Sequence, residues 1–217
     1  MRKTPQIDFI VPVYNSAETL TECLNSIINQ RYSINRIKII VINDCSTDNS
    51  LDLIKSMENN HNCIEVVSHK SNEGLSKTRN TGLKLVTGDL IFFLDSDIIL
   101  EKSAAIRMVD YFQNEEVIGV CGKILPDKDI PYDKYQKYLY ESKRGNRHIA
   151  EFSRIPYYNF LFNMSCVRTK AIDKTQGFDT NIKYYGGEDT EYAYRLAKKF
   201  KKGLFYAPDI KGYHHHY

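Results

Sequence analysis

The sequence predicts an α/β fold: a mixed, mostly parallel sheet with helices on its faces. Three observations carry that prediction. Short apolar runs bounded by polar turns recur along the first half, at 7–13, 37–43 and 90–94. An apolar run of that length without alternation suits a strand buried on both faces. Between the runs stand stretches with apolar residues at helical spacing, such as Leu20, Leu24, Ile27 and Ile28, and strand–helix alternation is the pattern of βαβ units. Each apolar run ends in polar residues: Tyr14-Asn15, Asp44 and Asp95. Side chains able to do chemistry therefore gather on one carboxyl edge, where open α/β folds bind ligands.

Composition narrows the class. At 217 residues the chain suits one substantial domain. A net charge of +3 is too small to argue for nucleic acid, and no basic, aromatic-interleaved RNA-binding motif is present. The five cysteines, Cys23, Cys45, Cys63, Cys121 and Cys166, form no C-x-x-C pair, which suits reduced core thiols in a cytosolic protein better than a disulfide frame or zinc site. A first strand at Ile7 leaves no room ahead of it for a signal peptide. No apolar run approaches the ~20 residues of a membrane span. The expectation is a cytoplasmic protein, at most on the inner face of the cytoplasmic membrane.

The first strand, 7–13, contains Pro12, which lacks an amide donor and suits a strand end or edge. Ser16 is placed to cap a helix reaching about Gln30. The second strand, 37–43, runs into Asp44-Cys45-Ser46-Thr47-Asp48. Thr47 or Asp48 suits the cap of a helix with Leu51, Ile54 and Met57 on its apolar side, and a third strand follows at 63–67. Asn72 and Gly74 make a turn into a helix from Ser76 through Leu83 and Val86, closed by Gly88. Lys77 and Arg79 near its amino end make a potential anion site, or simply a solvated face.

The run Leu90-Ile91-Phe92-Phe93-Leu94 then enters Asp95-Ser96-Asp97. Carboxylates two residues apart share a face in an extended chain and suit a hard cation such as Mg²⁺ or Mn²⁺, with a ligand's phosphates completing the shell. Taken alone, the pair equally suits the cap of a following helix.

Pro12-Val13-Tyr14-Asn15, Asn43-Asp44-Cys45-Ser46-Thr47-Asp48, Asn72-Glu73-Gly74 with Arg79-Asn80, and Leu94-Asp95-Ser96-Asp97 stand in the order and spacing of family 2 glycosyltransferases. The sequence resembles that family along essentially its whole length. The resemblance implies the GT-A fold, a Rossmann-like mixed sheet, as a single domain: a nucleotide-sugar-binding half at about 1–100 and an acceptor-binding half at about 101–217. It implies that Pro12 and Tyr14 line the base pocket, that Asp44 contacts the base, and that Asn72, Arg79 and Ser96 help hold the nucleotide sugar. Asp95 would contact ribose or metal, and Asp97 the metal bridging the diphosphate. Many relatives have two acids where this chain has Asn43-Asp44, so the base contact falls on Asp44.

The second half reads as a helix at 103–112, a strand at 117–121, and then a tyrosine-rich, basic excursion at 123–154. That excursion holds Tyr132, Tyr135, Tyr138 and Tyr140 among lysines and arginines such as Lys143 and Arg144. It suits a solvated surface or an acceptor-side wall, and a basic, aromatic patch also suits an anionic membrane surface at the protein's periphery. A strand at 164–168, a short helix near Ala171 and a turn at Gly177 follow. Tyr184-Tyr185-Gly186-Gly187-Glu188-Asp189 opens a helix to about Phe200. Acids in a first helical turn favour the helix dipole on their own account. The resemblance, however, matches Gly-Gly-Glu-Asp to the acid motif of inverting transferases. It carries the catalytic-base role to Asp189 and gives Glu188 a hydrogen bond to a sugar or the holding of the loop. A last strand is expected at 203–208, and the resemblance points to a terminal histidine as a further metal ligand, His214 with His216 as the alternative.

The implied activity is metal-dependent, inverting transfer of a single sugar from a nucleotide-diphosphate donor, UDP-linked since Asp44 suits uracil, to a glycan, lipid-linked or polysaccharide acceptor. The chain has no tryptophan and so lacks the Gln-x-x-Arg-Trp signature of processive synthases. The rivals are a catalytically silent nucleotide-sugar-binding partner subunit and a nucleotidyltransferase. The second usually carries a glycine-rich basic loop where this chain has Tyr14-Asn15-Ser16-Ala17.

Overall fold

The computed structural model describes residues 4–127, 134–141, 145–182, 186–200 and 203–215. The first half is β1 (Ile7–Val13), α1 (Leu20–Ile28), β2 (Ile37–Asn43), α2 (Ser50–Asn60), β3 (Ile64–Ser68), α3 (Leu75–Leu83), β4 (Leu90–Leu94) and β5 (Ile98–Leu100). The second half is α4 (Ala104–Tyr111), β6 (Val117–Pro126), α5 (Lys134–Glu141), β7 (Ser153–Ile155), β8 (Met164–Arg168), α6 (Thr169–Ile172), α7 (Glu188–Lys199) and β9 (Gly203–His214). The strands form one nine-stranded sheet in the order β3-β2-β1-β4-β8-β6-β9-β5, with β7 beside β9. β1 lies parallel to β2 and β4, and β2 to β3. β8 then runs antiparallel between β4 and β6, so the second half is mixed.

The apolar runs are strands because both their faces are covered. Phe92 and Phe93 are adjacent on β4 and fully buried on opposite sides. Phe92 stacks on Phe9 at 4.8 Å within the layer under α1 and α4. Phe93 meets Phe162 at 5.1 Å and Phe178 at 5.6 Å in the layer under α7. On that second face α3 lies close against the sheet. A Cβ on Gly82 would meet Ile10 and Ile42 side chains at 2.8 Å, so only glycine lets the helix settle that low and brings Arg79, one turn earlier, beneath the carboxyl edge.

Several expectations are corrected here. Of the two places expected for Pro12 the strand end holds and the edge does not: it is the next-to-last residue of the central strand β1, buried and paired with Ile42 of β2. Its missing amide is tolerated because the pairing with β4 has already ended at Ile10. Ser16 does not cap α1; its carbonyl accepts the amides of Thr19 and Leu20 in a preceding turn. α3 ends at Leu83, not Gly88, and β9 extends to His214, not 208. Asp95-Ser96-Asp97 caps no helix and is not extended. The Asp95 carbonyl accepts Ile98 N–H at 3.1 Å in a turn leading into β5, which pairs with the end of β9. A buried acid in β1, Asp8, holds the entry to β4 by accepting the amides of Thr87 at 2.6 Å and Gly88 at 2.8 Å.

Candidate active site

The carboxyl edge is assembled first from loops that hold each other. Asn15, at φ +51° after β1, accepts the Thr47 amide at 2.7 Å on its side-chain oxygen. Its own amide donates to the Ser46 hydroxyl at 3.0 Å. Asp48 accepts the amides of Ala17 and Ser50, both at 3.0 Å, and these bonds help hold its carboxyl below the usual range against the opposing effect of burial. Tyr14 is left 51 % exposed beside this knot, free to cover a planar ligand.

Asp44 is buried after β2 and already engaged within the chain. Its Oδ1 accepts from His69 Nδ1 at 2.7 Å and from the Glu73 amide at 2.9 Å, and its Oδ2 accepts the Gly74 amide at 2.9 Å. His69 Nε2 lies 2.9 Å from the Thr81 hydroxyl on α3. Asp44 thus fixes the turn that presents the exposed Asn72 and starts α3; a ligand contact would use the lone pair left on Oδ2.

Arg79 occupies the centre. It is 1 % exposed and reaches both acid motifs. One terminal nitrogen donates to Asp189 Oδ1 at 2.7 Å, the other to Asp95 Oδ1 at 3.1 Å and the Phe162 carbonyl at 3.3 Å. Its Nε is buried without a hydrogen-bond partner, and its plane lies 5.3 Å from the Phe178 ring. Burial alone would lower its pKa, but Asp95 and Asp189 hold it firmly protonated. The resemblance has Arg79 help hold the nucleotide; in the structure its buried guanidinium bridges the carboxylates of Asp95 and Asp189.

Asp95, Ser96 and Asp97 face three ways. The Asp95 amide donates to the Asn163 carbonyl at 2.9 Å, and the Asp97 carbonyl accepts the His215 amide at 2.8 Å, so the turn is pinned on both sides. Burial, with the charges of Asp97 and Asp189, pushes the Asp95 carboxyl up to about 6 despite the pull of Arg79. The Ser96 hydroxyl donates to Ser16 Oγ at 2.8 Å, tying the motif to the β1 loop. Asp97 Oδ2 lies 3.0 Å from His214 Nε2, and His214 Nδ1 lies 3.1 Å from the Tyr140 hydroxyl on α5. Asp97 Oδ1 is buried with no hydrogen-bond partner. An orphaned carboxylate oxygen beside an imidazole fits a divalent cation. Among the described residues no three acidic, histidine or cysteine side chains close around one point, so the donor set fits an open site completed by a ligand's oxygens, not a protein cage.

On the opposite side, the α7 amino end carries the second acid pair. Gly186 and Gly187 have φ of +92° and +108°, a region open to glycine and strained for other residues. Glu188 is buried and accepts the Gly186 amide at 3.1 Å, holding that turn. Asp189 sits between Arg79 on Oδ1 and the Phe162 amide, 2.9 Å away, on Oδ2. The edge therefore presents the Asp97–His214 pair and, beside it, the orientation-fixed carboxylate of Asp189, which one guanidinium joins to Asp95.

Sequence reasoning missed His69, the main-chain groups of Phe162, and Tyr140 as a partner of His214. The first two lie outside the motifs, and no local pattern marks them. His216, Tyr132, Lys143, Arg144, Tyr184 and Tyr185, also singled out above, lie outside the described residues, as does the side chain of Tyr135.

Comparison with known proteins bears on the family and the fold. In sequence, the putative glycosyltransferase EpsH of Bacillus subtilis is 32% identical over 157 residues, covering 65% of this chain and 44% of that protein. The poly(ribitol-phosphate) beta-glucosyltransferase of Bacillus spizizenii is 31% identical over 120 residues, 55% of this chain and 19% of that protein. This chain thus spans less than half the length of these relatives. Among solved structures, the mannosyltransferase PcManGT from Pyrobaculum calidifontis, in complex with GDP-Man and Mn²⁺, superposes with a TM-score of 0.74 at 19% identity, covering 97% of this chain and 57% of that one. Staphylococcus aureus TarS 1-349 in complex with UDP gives 0.72 at 21% identity, covering 94% and 60%. These are GT-A glycosyltransferases, so the fold is the expected one. The profile of glycosyl transferase family 2 matches residues 8–178, and with the fold and the acid motifs in place, the chain belongs to that family.

Proposed function

We propose that this chain moves a single sugar from a nucleotide-diphosphate sugar, UDP-linked, to an acceptor hydroxyl in glycan or surface-polysaccharide synthesis, with inversion at the anomeric carbon. The observation that carries the reading is the buried Arg79, which joins Asp95 to Asp189 and so fixes the donor side and the base side of the reaction relative to each other. Residues of about 1–100 form the donor half, where Pro12, Tyr14, Asp44, Asn72 and Ser96 surround base and ribose; about 101–217 form the acceptor half. Asp97, His214 and Asp95 would hold Mg²⁺ or Mn²⁺, which supplies neutralisation of the charge growing on the departing diphosphate. Asp189 accepts the proton of the acceptor hydroxyl as its oxygen bonds to the anomeric carbon and the bond to diphosphate breaks. Arg79 and the Phe162 amide hold the base in one orientation, so little freedom is lost on reaching the transition state. Glu188 keeps the glycine turn in place beside it.

UDP-bound TarS supports a uridine donor, and the Mn²⁺ of the mannosyltransferase supports a cation. That enzyme carries GDP-Man, so base choice needs a direct test. The experiment is a thermal-shift panel of UDP-, GDP-, dTDP- and CMP-linked compounds, each with Mn²⁺ and with EDTA. A UDP compound at a hundred times its Kd should stabilise the protein by about 2.7 kcal/mol with Mn²⁺ and far less with EDTA. No shift with any nucleotide in folded protein overturns the donor reading. A shift without UDP release across a broad acceptor panel moves the protein to a silent binding partner.

A further inference from the structure

A second opening lies on the flank of the same sheet face. A cleft of about 1030 Å³ runs between α3 and the segment 172–182. α3 lines it with Lys77 and Thr81, and Lys84 at its carboxyl cap continues them at helical spacing, so the three form one stripe. Asp173, Gln176 and Thr180 stand on the other wall. One end meets the catalytic edge, because Asn72 and Glu188 line it too and Glu188 precedes the candidate base Asp189. None of Tyr14, Asp44, Asp95, Asp97 or His214 lines it. Of the residues assigned to the nucleotide and cation, Asn72 alone lines it, at the end that meets the catalytic edge, and from there the cleft leads away along α3.

Its length and chemistry define an occupant. α3 has nine residues, about 13 Å of rise, longer than one sugar ring. The side chains of Asn72, Lys84, Asp173, Gln176 and Thr180 make no hydrogen bond or ion pair with other described residues, so amide, hydroxyl, carboxylate and ammonium groups are all open to a ligand. Charge is mixed and leans acidic: Lys77 and Lys84 stand among Glu73, Asp173 and Glu188, and Lys77 is already paired with Glu73. A polyanion would face like charge there. A neutral chain of hydroxyls would find donors and acceptors along its whole length.

We propose that this cleft is the acceptor subsite, taking a neutral oligosaccharide whose terminal hydroxyl reaches Asp189 while the preceding sugars lie along α3. The proposal rests on the reading of Asp189 as the base. It makes Asp173, Gln176 and Thr180 specificity determinants remote from the chemistry.

The test uses this chain with UDP and Mn²⁺ bound, titrated with β-linked glucose and N-acetylglucosamine oligosaccharides of increasing length and with a polyol phosphate polymer, followed by saturation-transfer NMR. Asp173, Gln176 and Thr180 are exposed, so substitutions there leave the core intact. Affinity should rise with the length of a neutral oligosaccharide, fall about tenfold in the double variant Asp173→Ala/Gln176→Ala, and vanish in Thr180→Trp. The UDP thermal shift should be unchanged in both variants. Binding by no neutral oligosaccharide, affinity independent of length, tighter binding of the polyol phosphate, or binding untouched by both variants overturns the subsite. Loss of the UDP shift in the unsubstituted chain is a different failure, that of the donor reading itself.

Discussion

Arg79 and Asp189 are 110 residues apart in the chain and 2.7 Å apart in the fold. The same guanidinium holds Asp95, so one side chain sets the distance between two acid motifs that no local element connects. Arg suits the task because its rigid fork reaches two carboxylates at once while staying charged when buried.

Replacing Arg79 should therefore damage stability and activity together. Arg79→Met leaves Asp95 and Asp189 without their counter-charge, and removing one partner from a buried charge network typically costs about 3–5 kcal/mol. Arg79→Lys keeps the charge but not the fork, so it should recover part of the stability and little of the turnover. Urea midpoints with rates of UDP release check this; full activity in Arg79→Lys would show that charge alone suffices.

Asp189→Asn separates binding from chemistry. The amide oxygen can accept from only one of Phe162 N–H and Arg79, so the variant sets an NH₂ group against the other donor and loses about 1–3 kcal/mol of stability, and no proton acceptor remains. Turnover should fall by about 10²–10⁴, the usual contribution of a positioned base, while the Mn²⁺-dependent UDP thermal shift stays. If transfer persists near the original rate, another group removes the proton.

Asp44 carries two readings that one substitution can weigh. Its three hydrogen bonds to His69, Glu73 and Gly74 make it a brace for the turn before α3. Asp44→Asn would set an NH₂ group against a donor, costing about 1–3 kcal/mol for a buried group left unsatisfied. If Asp44 also reads the base, the variant loses its preference for UDP over GDP in the thermal-shift panel. If it is only a brace, the urea midpoint drops and the preference survives.

The fold was legible where physics is local. The runs 7–13, 37–43 and 90–94 had to be strands because nothing but burial on both faces suits them, and all three are. The family motifs put Asp95, Asp97 and Asp189 on one edge, and the fold does bring the first and last to a common arginine. What stayed hidden depends on long-range partners. β5 has only three residues and exists because β9 passes beside it. Arg79 looks like a solvated helix residue until α7 arrives opposite. The Phe162 amide that holds Asp189 belongs to an aromatic stretch whose sequence marks burial, not a hydrogen-bond donor.

The Asp97–His214 pair gives the last prediction, in which α5 takes part. Asp97 Oδ1 is buried without a partner, a cost that a bound cation would relieve. Asp97→Asn should therefore abolish most of the Mn²⁺-dependent part of the nucleotide shift without lowering stability in EDTA. The Tyr140 hydroxyl sits on His214 Nδ1 at 3.1 Å and orients Nε2 toward Asp97. Partners of this kind typically change metal affinity by about 10–100-fold. Tyr140→Phe keeps the ring but loses that contact, so a Mn²⁺ titration read by electron paramagnetic resonance, with UDP present, should show weaker binding in that range. His214→Ala should weaken it further, and adding Tyr140→Phe to His214→Ala should then do little more, because the tyrosine acts only through the imidazole. Additive losses would mean that Tyr140 reaches the cation by its own contact and that the orienting role is wrong.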